Sequence, residues 1–238
     1  MEFKKELVKG MSHGVPIMLG YLSVSFGFGI KAAASGLTPF EATFISLTNV
    51  TSAGQAAGVE LIAAGGSIIE MILVQLIINI RYSLMALTLS QRLDPKFTMK
   101  HRLLASFGIT DEIFALCAAR KEPLRPPYMY GMILVATAGW VTGTALGAVA
   151  GQLLPASVSG ALGIMLYGMF LAIIIPPAKR ERSILCVVIA AALLSLLFKF
   201  LLPMVSGGFA IIICAVAAAA FGALMFPVSD EPQEKEGE

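Results

Sequence analysis

Charged residues are scarce in this 238-residue chain. They make up 13% of it, whereas an average soluble domain carries about 25%. Hydrophobic residues make up 57%. This composition excludes an ordinary soluble protein and predicts a membrane protein with several spans. The net charge is only +2, and the basic residues lie in short loops, so nucleic-acid binding is not expected.

Cysteine and histidine are also rare. Cys117, Cys186 and Cys214 are far apart in apolar stretches and show no ligand spacing, so we interpret them as packing residues. His13 and His101 are the two histidines, and neither is near a plausible nucleophile. Gly-x-Ser-x-Gly and His-Glu-x-x-His motifs are absent from the sequence. We therefore predict no enzyme activity, catalytic residue, metal site or cofactor.

The first apolar segment covers residues 15–30 and is interrupted by small residues and one proline. More apolar sequence follows at once, which favours a retained span over a cleaved signal peptide. Small residues let helices approach closely in a membrane. We predict helix-packing positions at Pro16, Gly20, Gly27 and Gly29, with a substrate role for the glycines as the alternative.

A dense polar run, Asn-Val-Thr-Ser-Ala-Gly-Gln, occupies residues 49–55 of the second apolar segment. Polar groups inside hydrocarbon indicate a functional site. A discontinuous helix would free backbone groups for a substrate, whereas an ordinary helix with internally bonded Thr, Ser and Asn is the alternative. We expect glycine to permit the unwinding and the backbone of residues 52–55 to hold a substrate carboxylate. The predicted substrate-binding residues are Asn49, Ser52, Gly54, Gln55 and, on the third segment, Asn79.

The third segment, residues 68–89, carries polar residues on two faces. Gln75 and Asn79 share one face, while Glu70 and Arg81 lie near the opposite one, roughly 16 Å apart along the axis. Polar groups on two faces predict a central helix. Snorkelling of Arg81 towards the membrane surface is the alternative.

An acidic pair, Asp111 and Glu112, begins a further apolar stretch within residues 103–119. We predict that Glu70, Arg81, Asp111 and Glu112 serve as buried charges or in proton coupling. Arg81 is expected to pair with Asp111 or Glu112. Asp111 is favoured for coupling because Glu112 points about 100° away, towards solvent. The alternative is a solvated helix end capped by Thr110.

Basic residues predict the topology. The N-terminus and the loops at residues 92–102, 120–125 and 179–182 are basic, which places all four in the cytoplasm. The simplest solution is six full spans, with the polar second segment entering and turning back and residues 103–119 forming an amphipathic, tilted or re-entrant segment. Eight crossings, with the loop at 92–102 outside, are the alternative.

Two further patterns concern organisation. Gly139, Gly143, Gly147 and Gly151 recur every fourth residue, which is typical of close helix contact. The region around Pro16 resembles that around Pro127, which favours two related halves. We predict one transmembrane transporter domain over residues 1–228 and a disordered acidic tail at 229–238.

Several motifs together resemble the AzlC family, the large subunits of bacterial branched-chain amino acid exporters. The matching motifs are Pro16 and Gly20 before Phe26-Gly27, Ser52-Ala-Gly-Gln55, Asn79-Ile-Arg81-Tyr82 and Thr110-Asp-Glu112-x-Phe114. One departure is that Thr51 and Ala56 flank the Ala-Gly-containing run where the family often has aromatic residues. These positions could shape a side-chain pocket, so the substrate is left open.

The resemblance implies a multi-pass protein of the bacterial plasma membrane that exports leucine, isoleucine and valine, with methionine as a further candidate. It also implies proton coupling and a small hydrophobic partner subunit of the AzlD type, while oligomerisation of the chain is left open. The alternatives are a passive channel, an exporter of another small amphipathic solute and a structural membrane scaffold. A scaffold would leave the predicted buried charges without a purpose.

Overall fold

The computed structural model describes residues 2–227, so the predicted acidic tail lies outside the described residues. The described chain is all-α, as predicted. Its ten helices are α1 Glu2–Ala34, α2 Pro39–Thr48, α3 Ser52–Ala63, α4 Ile68–Ser90, α5 Met99–Ser106, α6 Asp111–Ala119, α7 Pro126–Leu153, α8 Ala156–Arg180, α9 Arg182–Leu201 and α10 Gly207–Met225.

Six helices have the length of a full membrane span. Among the described residues, α1, α4, α7, α9 and α10 are each long and apolar enough to cross a bilayer. Helix α8 has 25 residues, which also exceeds the roughly 20 that a span requires. The remaining four helices have 8 to 12 residues, too few to cross alone. Five helices therefore meet both the length and the hydropathy criterion, and α8 meets the length criterion, against about six full spans predicted.

A parallel pair, α1 and α7, forms the centre of the first compact unit, which extends to Phe170. Successive turns of α1 lie against successive turns of α7 in the same order along the chain. A methyl group added at Gly139, Gly143 or Gly147 would come within 3 Å of backbone atoms of α1. The predicted glycine stripe is therefore confirmed as a surface of close helix contact.

The packing positions predicted on α1 are only partly correct. Gly29 lies directly against the backbone of α7, and Gly27 is buried. Gly20 has no atom within 4 Å of where its Cβ would be, and both it and Pro16 are exposed. The packing prediction for these two is wrong, because the face of α1 that meets α7 passes through Gly10 and Gly14 instead.

Helices α2 and α3 form a re-entrant hairpin, called hairpin 1 (residues 39–63). It begins just after the C-terminal end of α1, where a capping box of Thr38 and Glu41 starts α2. Its turn places Val50 in the cluster that contains Tyr21 and Trp140, halfway along α1 and α7. It then returns to the same end, since Glu60 bonds to Lys31 near the end of α1. The second segment thus enters and turns back, as predicted.

Helices α5 and α6 form hairpin 2 (residues 99–119), which enters from the opposite end. His101 in α5 lies 2.7 Å from the Tyr130 hydroxyl, close to the start of α7. Arg120, just after α6, bonds to Glu6 near the start of α1. Between these points the chain reaches the middle of α1, where the Thr110 hydroxyl lies 2.6 Å from that of Tyr21. Of the predicted amphipathic, tilted or re-entrant forms, the segment takes the re-entrant one.

The loop after α4 lies at the same end of the unit as the N-terminus. The Asp94 amide donates to the Leu124 carbonyl at 2.9 Å, and Arg125 pairs with both Asp94 and Glu2. These contacts exclude the eight-crossing alternative, which put this loop on the other side. Helix α4 therefore runs antiparallel to α1. Hairpin 1 enters at the C-terminal end of α1, and hairpin 2 enters at the C-terminal end of α4.

Helix α4 is not enclosed by the other described helices of the first unit, although its two polar faces predicted a central position. Its buried residues are Glu70, Val74 and Leu89, and its other large apolar side chains point outward, including Ile69, Ile72, Leu76, Ile80, Leu84 and Leu87. The polar residues contact the two hairpins, while the rest of the helix forms an outer wall of the unit.

The second compact unit begins at Leu171. Within it α9 and α10 pack together, with Gly222 of α10 facing Val187 of α9 at a distance that a larger residue would not fit. Helix α10 is capped by Ser206, whose side chain accepts from the Phe209 amide. None of the residues predicted to form a site belongs to this unit.

The α1–α7 contact predicts a position-specific effect of bulk. Gly147→Leu should lower the thermal stability of the detergent-solubilised protein, because overpacking a tight contact costs about 1–3 kcal/mol or more. Gly20→Leu is the matched control, since open space surrounds Gly20. Equal melting temperatures for the two variants would contradict the parallel α1–α7 contact.

Candidate functional site

The turns of the two hairpins both reach the middle of α1 and α7, where they share an apolar cluster and form the candidate site. Hairpin 1 brings residues 49–55 there, and hairpin 2 brings residues 107–112. Helix α4 reaches both hairpins from one side, while Tyr21 of α1 and Trp140 of α7 reach them from the other.

The break in hairpin 1 confirms the predicted discontinuous helix but changes the role of Gly54. Helix α2 ends at Thr48 and α3 begins at Ser52, so Gly54 lies inside α3. Among the described residues, the glycines with a positive φ are Gly36 and Gly65, so Gly54 does not have the left-handed backbone that unwinding would require. A Cβ there would come within 2.7 Å of Thr51 Oγ1 and Gln75 Oε1. Glycine is therefore needed for close approach, and the expectation that it permits unwinding is wrong.

The start of α3 presents free backbone donors to the middle of the unit. The Gln55 amide is the first to make a helical bond, to the Thr51 carbonyl at 2.8 Å. Thr51 does not cap the helix, because its hydroxyl donates to Asn49 Oδ1 at 2.8 Å instead. The amides of the first turn, beginning at Ser52, therefore form the positive end of a helix dipole. Such an end favours an anionic group.

Gln55 is enclosed by protein. It is 1% exposed, its Nε2 donates to Ser46 Oγ, and its Oε1 accepts from Trp140 Nε1, each at 2.8 Å. Ser46 is in turn 2.7 Å from the Thr144 hydroxyl of α7. The side-chain amide of Gln55 therefore ties α2, α3 and α7 together. That Gln55 also contacts substrate stays a prediction.

Helix α4 supports hairpin 1 through a short amide chain. Gln75 Nε2 donates to the Gly54 carbonyl at 2.8 Å, and Asn79 Nδ2 donates to Gln75 Oε1 at 3.0 Å. Asn79 Oδ1 is buried and has no hydrogen-bond partner among the described residues. A buried acceptor without a partner costs about 1–3 kcal/mol. Of the predicted substrate residues, Asn79 is thus the one with an open acceptor beside α3.

The predicted ion pair is present. Arg81 Nη1 lies 2.7 Å from Asp111 Oδ2, which joins α4 to the start of α6. Arg81 also donates to the Tyr82 hydroxyl at 3.2 Å. This placement contradicts the snorkelling alternative, because the guanidinium is held by a residue of hairpin 2.

Glu112 has a different kind of partner. Its Oε2 lies 2.5 Å from the Tyr21 hydroxyl, so the side chain is hydrogen-bonded in addition to being exposed. Thr110 caps α6 as expected, accepting from the Ile113 amide. The two adjacent carboxylates therefore face a cation on α4 and a neutral phenol on α1, respectively.

Glu70 does not join the site. It is 4% exposed in the first turn of α4, where Ser67 caps the helix, and eleven residues separate it from Arg81. That separation corresponds to roughly 16 Å along the helix. The structure places it at the end of α4 where hairpin 1 enters.

Sequence reasoning missed Tyr21 and Trp140, which connect the two hairpins. Their rings meet edge to face at 5.2 Å, Trp140 bonds hairpin 1, and Tyr21 bonds hairpin 2. Trp140 is the single tryptophan of the chain. A buried indole N–H usually requires an acceptor, and that requirement was the available signal.

Two ionic groups at opposite ends of the unit were also missed. At one end Lys31 bonds to Glu60 and to Tyr167 at 2.6 and 2.5 Å. At the other, Arg120 bonds to Glu6 and Glu122.

The Glu122 carboxylate lies in the loop before α7. The hydrogen bond from Arg120 and then that from Lys9 hold the pKa of this carboxylate below its usual range. The Lys31–Glu60 pair thus joins the second helix of hairpin 1 to α1. The Arg120–Glu6 pair joins the end of hairpin 2 to α1 in the same way.

A double-mutant cycle tests the Gln55–Trp140 hydrogen bond. Trp140→Phe leaves Gln55 Oε1 buried without its donor, which should cost about 1–3 kcal/mol. Combining it with Gln55→Met should cost less than the sum of the two single changes, measured by thermal unfolding in detergent. Additive losses would show that the bond does not link hairpin 1 to α7.

Comparison with known proteins identifies relatives. The model of the family described as "AzlC protein" matches residues 16–154, which include most of α1, both hairpins, α4 and α7. The "Inner membrane protein YgaZ" of Escherichia coli (strain K12) is 31% identical over 191 residues, 77% of each chain. An "Uncharacterized membrane protein" of Archaeoglobus fulgidus is 31% identical over 176 residues, 73% of this chain and 77% of its own.

No solved structure matches the chain. The family match covers more than half of the chain and includes the parts of it that form the site. The expected resemblance is confirmed by this match and by the two relatives. The chain is a multi-pass membrane protein that belongs to the AzlC family.

Proposed function

We propose that the protein exports amino acids across the cytoplasmic membrane of a bacterium, with leucine, isoleucine, valine and methionine as the substrates to test first. Protons are proposed to move inward as the amino acid moves outward. The observation that carries the proposal is that two re-entrant hairpins enter from opposite ends and reach the same depth, where Tyr21 and Trp140 link them. Such midplane sites built from broken helices are a feature of secondary transporters.

The site suits a zwitterion. The amides at the start of α3, beginning at Ser52, favour a carboxylate, while Asn79 Oδ1 is a buried acceptor without a partner among the described residues, which suits a donor such as an ammonium group. Hairpin 2 brings Asp111 and Glu112, which attract an ammonium group. The carboxylate and ammonium of an amino acid would therefore be held by opposite hairpins.

Apolar side chains line the same region. Val50 at the turn of hairpin 1 packs in one cluster with Ile113 of hairpin 2, and Ile109 and Phe114 pack against that cluster. Aliphatic side chains of a substrate would find similar surroundings there, which supports branched-chain amino acids over polar ones. Discrimination by apolar contact is modest, about 1–3 kcal/mol per methylene.

Opposed hairpins also suit alternating access. Each hairpin enters from one end and is fastened there to α1 by an ionic group. Releasing one group would open the site to that end while the other hairpin stays in place. A passive pore, the alternative, would need no such independent closure at the two ends.

The central test is transport by purified protein in liposomes. Radiolabelled leucine trapped inside should leave faster when a proton gradient is imposed, and an ionophore that collapses the gradient should abolish the acceleration. Liposomes containing a co-encoded small membrane subunit test the proposed AzlD-type partner in parallel. Efflux that ignores the gradient would favour a passive channel, and an absence of amino-acid flux in both preparations would contradict the proposal.

A glycine substitution tests whether hairpin 1 carries the substrate. Gly54→Leu should reduce efflux at least tenfold, because the larger side chain collides with Thr51 and Gln75 at the start of α3. Gly168→Leu is the control, since no atom of the described residues lies within 4 Å of its Cβ position. Both proteins should insert into the membrane equally. Unchanged efflux by Gly54→Leu would contradict the placement of the substrate.

A further inference from the structure

Asp111 and Glu112 are adjacent in sequence but differ in what holds them. Asp111 lies 2.7 Å from the Arg81 guanidinium. The nearby cation favours the ionised form of Asp111, and protonating Asp111 would leave the Arg81 guanidinium without its counter-charge. Glu112 lies against the neutral Tyr21 hydroxyl at 2.5 Å. Protonating Glu112 therefore breaks no ion pair.

Tyr21 can serve both protonation states of Glu112 without moving. Tyr21 is buried, with 7% of its surface exposed. Its hydroxyl oxygen lies within hydrogen-bond distance of both Glu112 Oε2 and Thr110 Oγ1. A phenol has one proton and can also accept. It donates to the ionised carboxylate while accepting from the Thr110 hydroxyl, and it accepts from the protonated carboxyl group while donating to Thr110.

We propose that Glu112 is the group that carries the coupled proton and that Tyr21 is the positioning residue that holds it in both states. The inference rests on the proposed export function and names the coupling residue within it. It replaces Asp111, which the sequence favoured, because the structure gives Asp111 a fixed counter-charge.

The proton step is simple. A hydronium ion reaching the site gives a proton to Glu112 Oε2, an O–H bond forms, water is released, and the site loses one negative charge. The substrate ammonium then has a weaker electrostatic partner and departs. Tyr21 keeps its own proton throughout and only reverses the direction of its hydrogen bonds.

Other titratable groups near Glu112 come from its own helix and two neighbours. Asp111 precedes it on α6, Arg81 and Tyr82 face it from α4, and Tyr21 faces it from α1. Trp140 of α7 contacts Tyr21 but carries no charge. Because Arg81 is paired with Asp111, these two charges largely offset each other and do not fix the charge of Glu112.

Tyr21 also lies where a change at hairpin 2 can reach hairpin 1. Its ring meets Trp140 edge to face, and Trp140 Nε1 donates to Gln55 of hairpin 1. The residue that responds to protonation on hairpin 2 is therefore in contact with the residue that bonds hairpin 1. If Tyr21 only held the helices together, substituting it would alter stability or rate but would leave the pH dependence of transport unchanged.

The test measures proton and amino-acid fluxes together in liposomes that contain a pH-sensitive dye and labelled leucine. Wild type should move protons with leucine. Glu112→Gln should carry leucine at a lower rate and without coupled protons, because it lacks the charge that attracts the ammonium group. Arg81→Gln combined with Asp111→Asn, which removes both charges of the ion pair, should also be slower but should remain coupled. Coupled protons in Glu112→Gln, or their loss only in the paired variant, would assign the proton to Asp111 and overturn the inference.

Tyr21→Phe decides the matter if Glu112→Gln transports nothing. Removing the hydroxyl takes a donor from the ionised carboxylate, so the pH midpoint of leucine efflux should shift upward by roughly one to two pH units. An unchanged midpoint at a reduced rate would make Tyr21 purely structural and contradict the proposal. A wild-type protein that moves no amino acid at all would instead contradict the export function.

Discussion

Backbone amides and carbonyls that end inside a membrane need protein partners, because hydrocarbon offers none. This chain has two helix breaks at mid-depth, and polar side chains of the first unit bond the backbone groups that the breaks leave free. Gln75 bonds the Gly54 carbonyl, and Thr110 caps the start of α6. The amides at the start of α3 are the exception. They retain a free binding capacity where a substrate would lie.

The α1–α7 pair provides the rigid part against which the hairpins are placed. Its contact runs through glycines on both helices, so backbones meet directly and leave few side-chain conformations to rearrange. Hairpin 1 is tied to this pair by Gln55 and Ser46, and hairpin 2 is tied to it by Thr110 and Glu112. Both hairpins are therefore held against the same helix pair, each through its own hydrogen bonds.

Much of this arrangement could be predicted from the sequence. The broken second segment followed from its polar run, and the Arg81–Asp111 pair followed from the need of a charge in an apolar segment for a partner. Gly54 lies inside a helix and does not permit unwinding, and Gly20 does not lie on the face of α1 that contacts α7. Spacing alone does not show which face of a helix meets a neighbour, nor whether a glycine is needed for its φ or for close approach.

The links through Tyr21 and Trp140 lay beyond the reach of local patterns. They join residues separated by 85 to 91 positions in the chain, and nothing in the neighbourhood of either aromatic residue indicates its partner. The same is true of Lys31 with Glu60 and Tyr167. Composition and periodicity report which residues need partners, whereas the fold decides which partners they receive.

The long separation between α1 and α7 also constrains how the protein is made. During synthesis, Ser46 and Gln55 of hairpin 1 leave the ribosome 98 and 85 residues before their partners on α7, Thr144 and Trp140. Until then the glycine face of α1 has no helix to contact. The first half of the chain therefore waits in the membrane in an unfinished form, and the entry of α7 is the step at which both hairpins acquire their final positions.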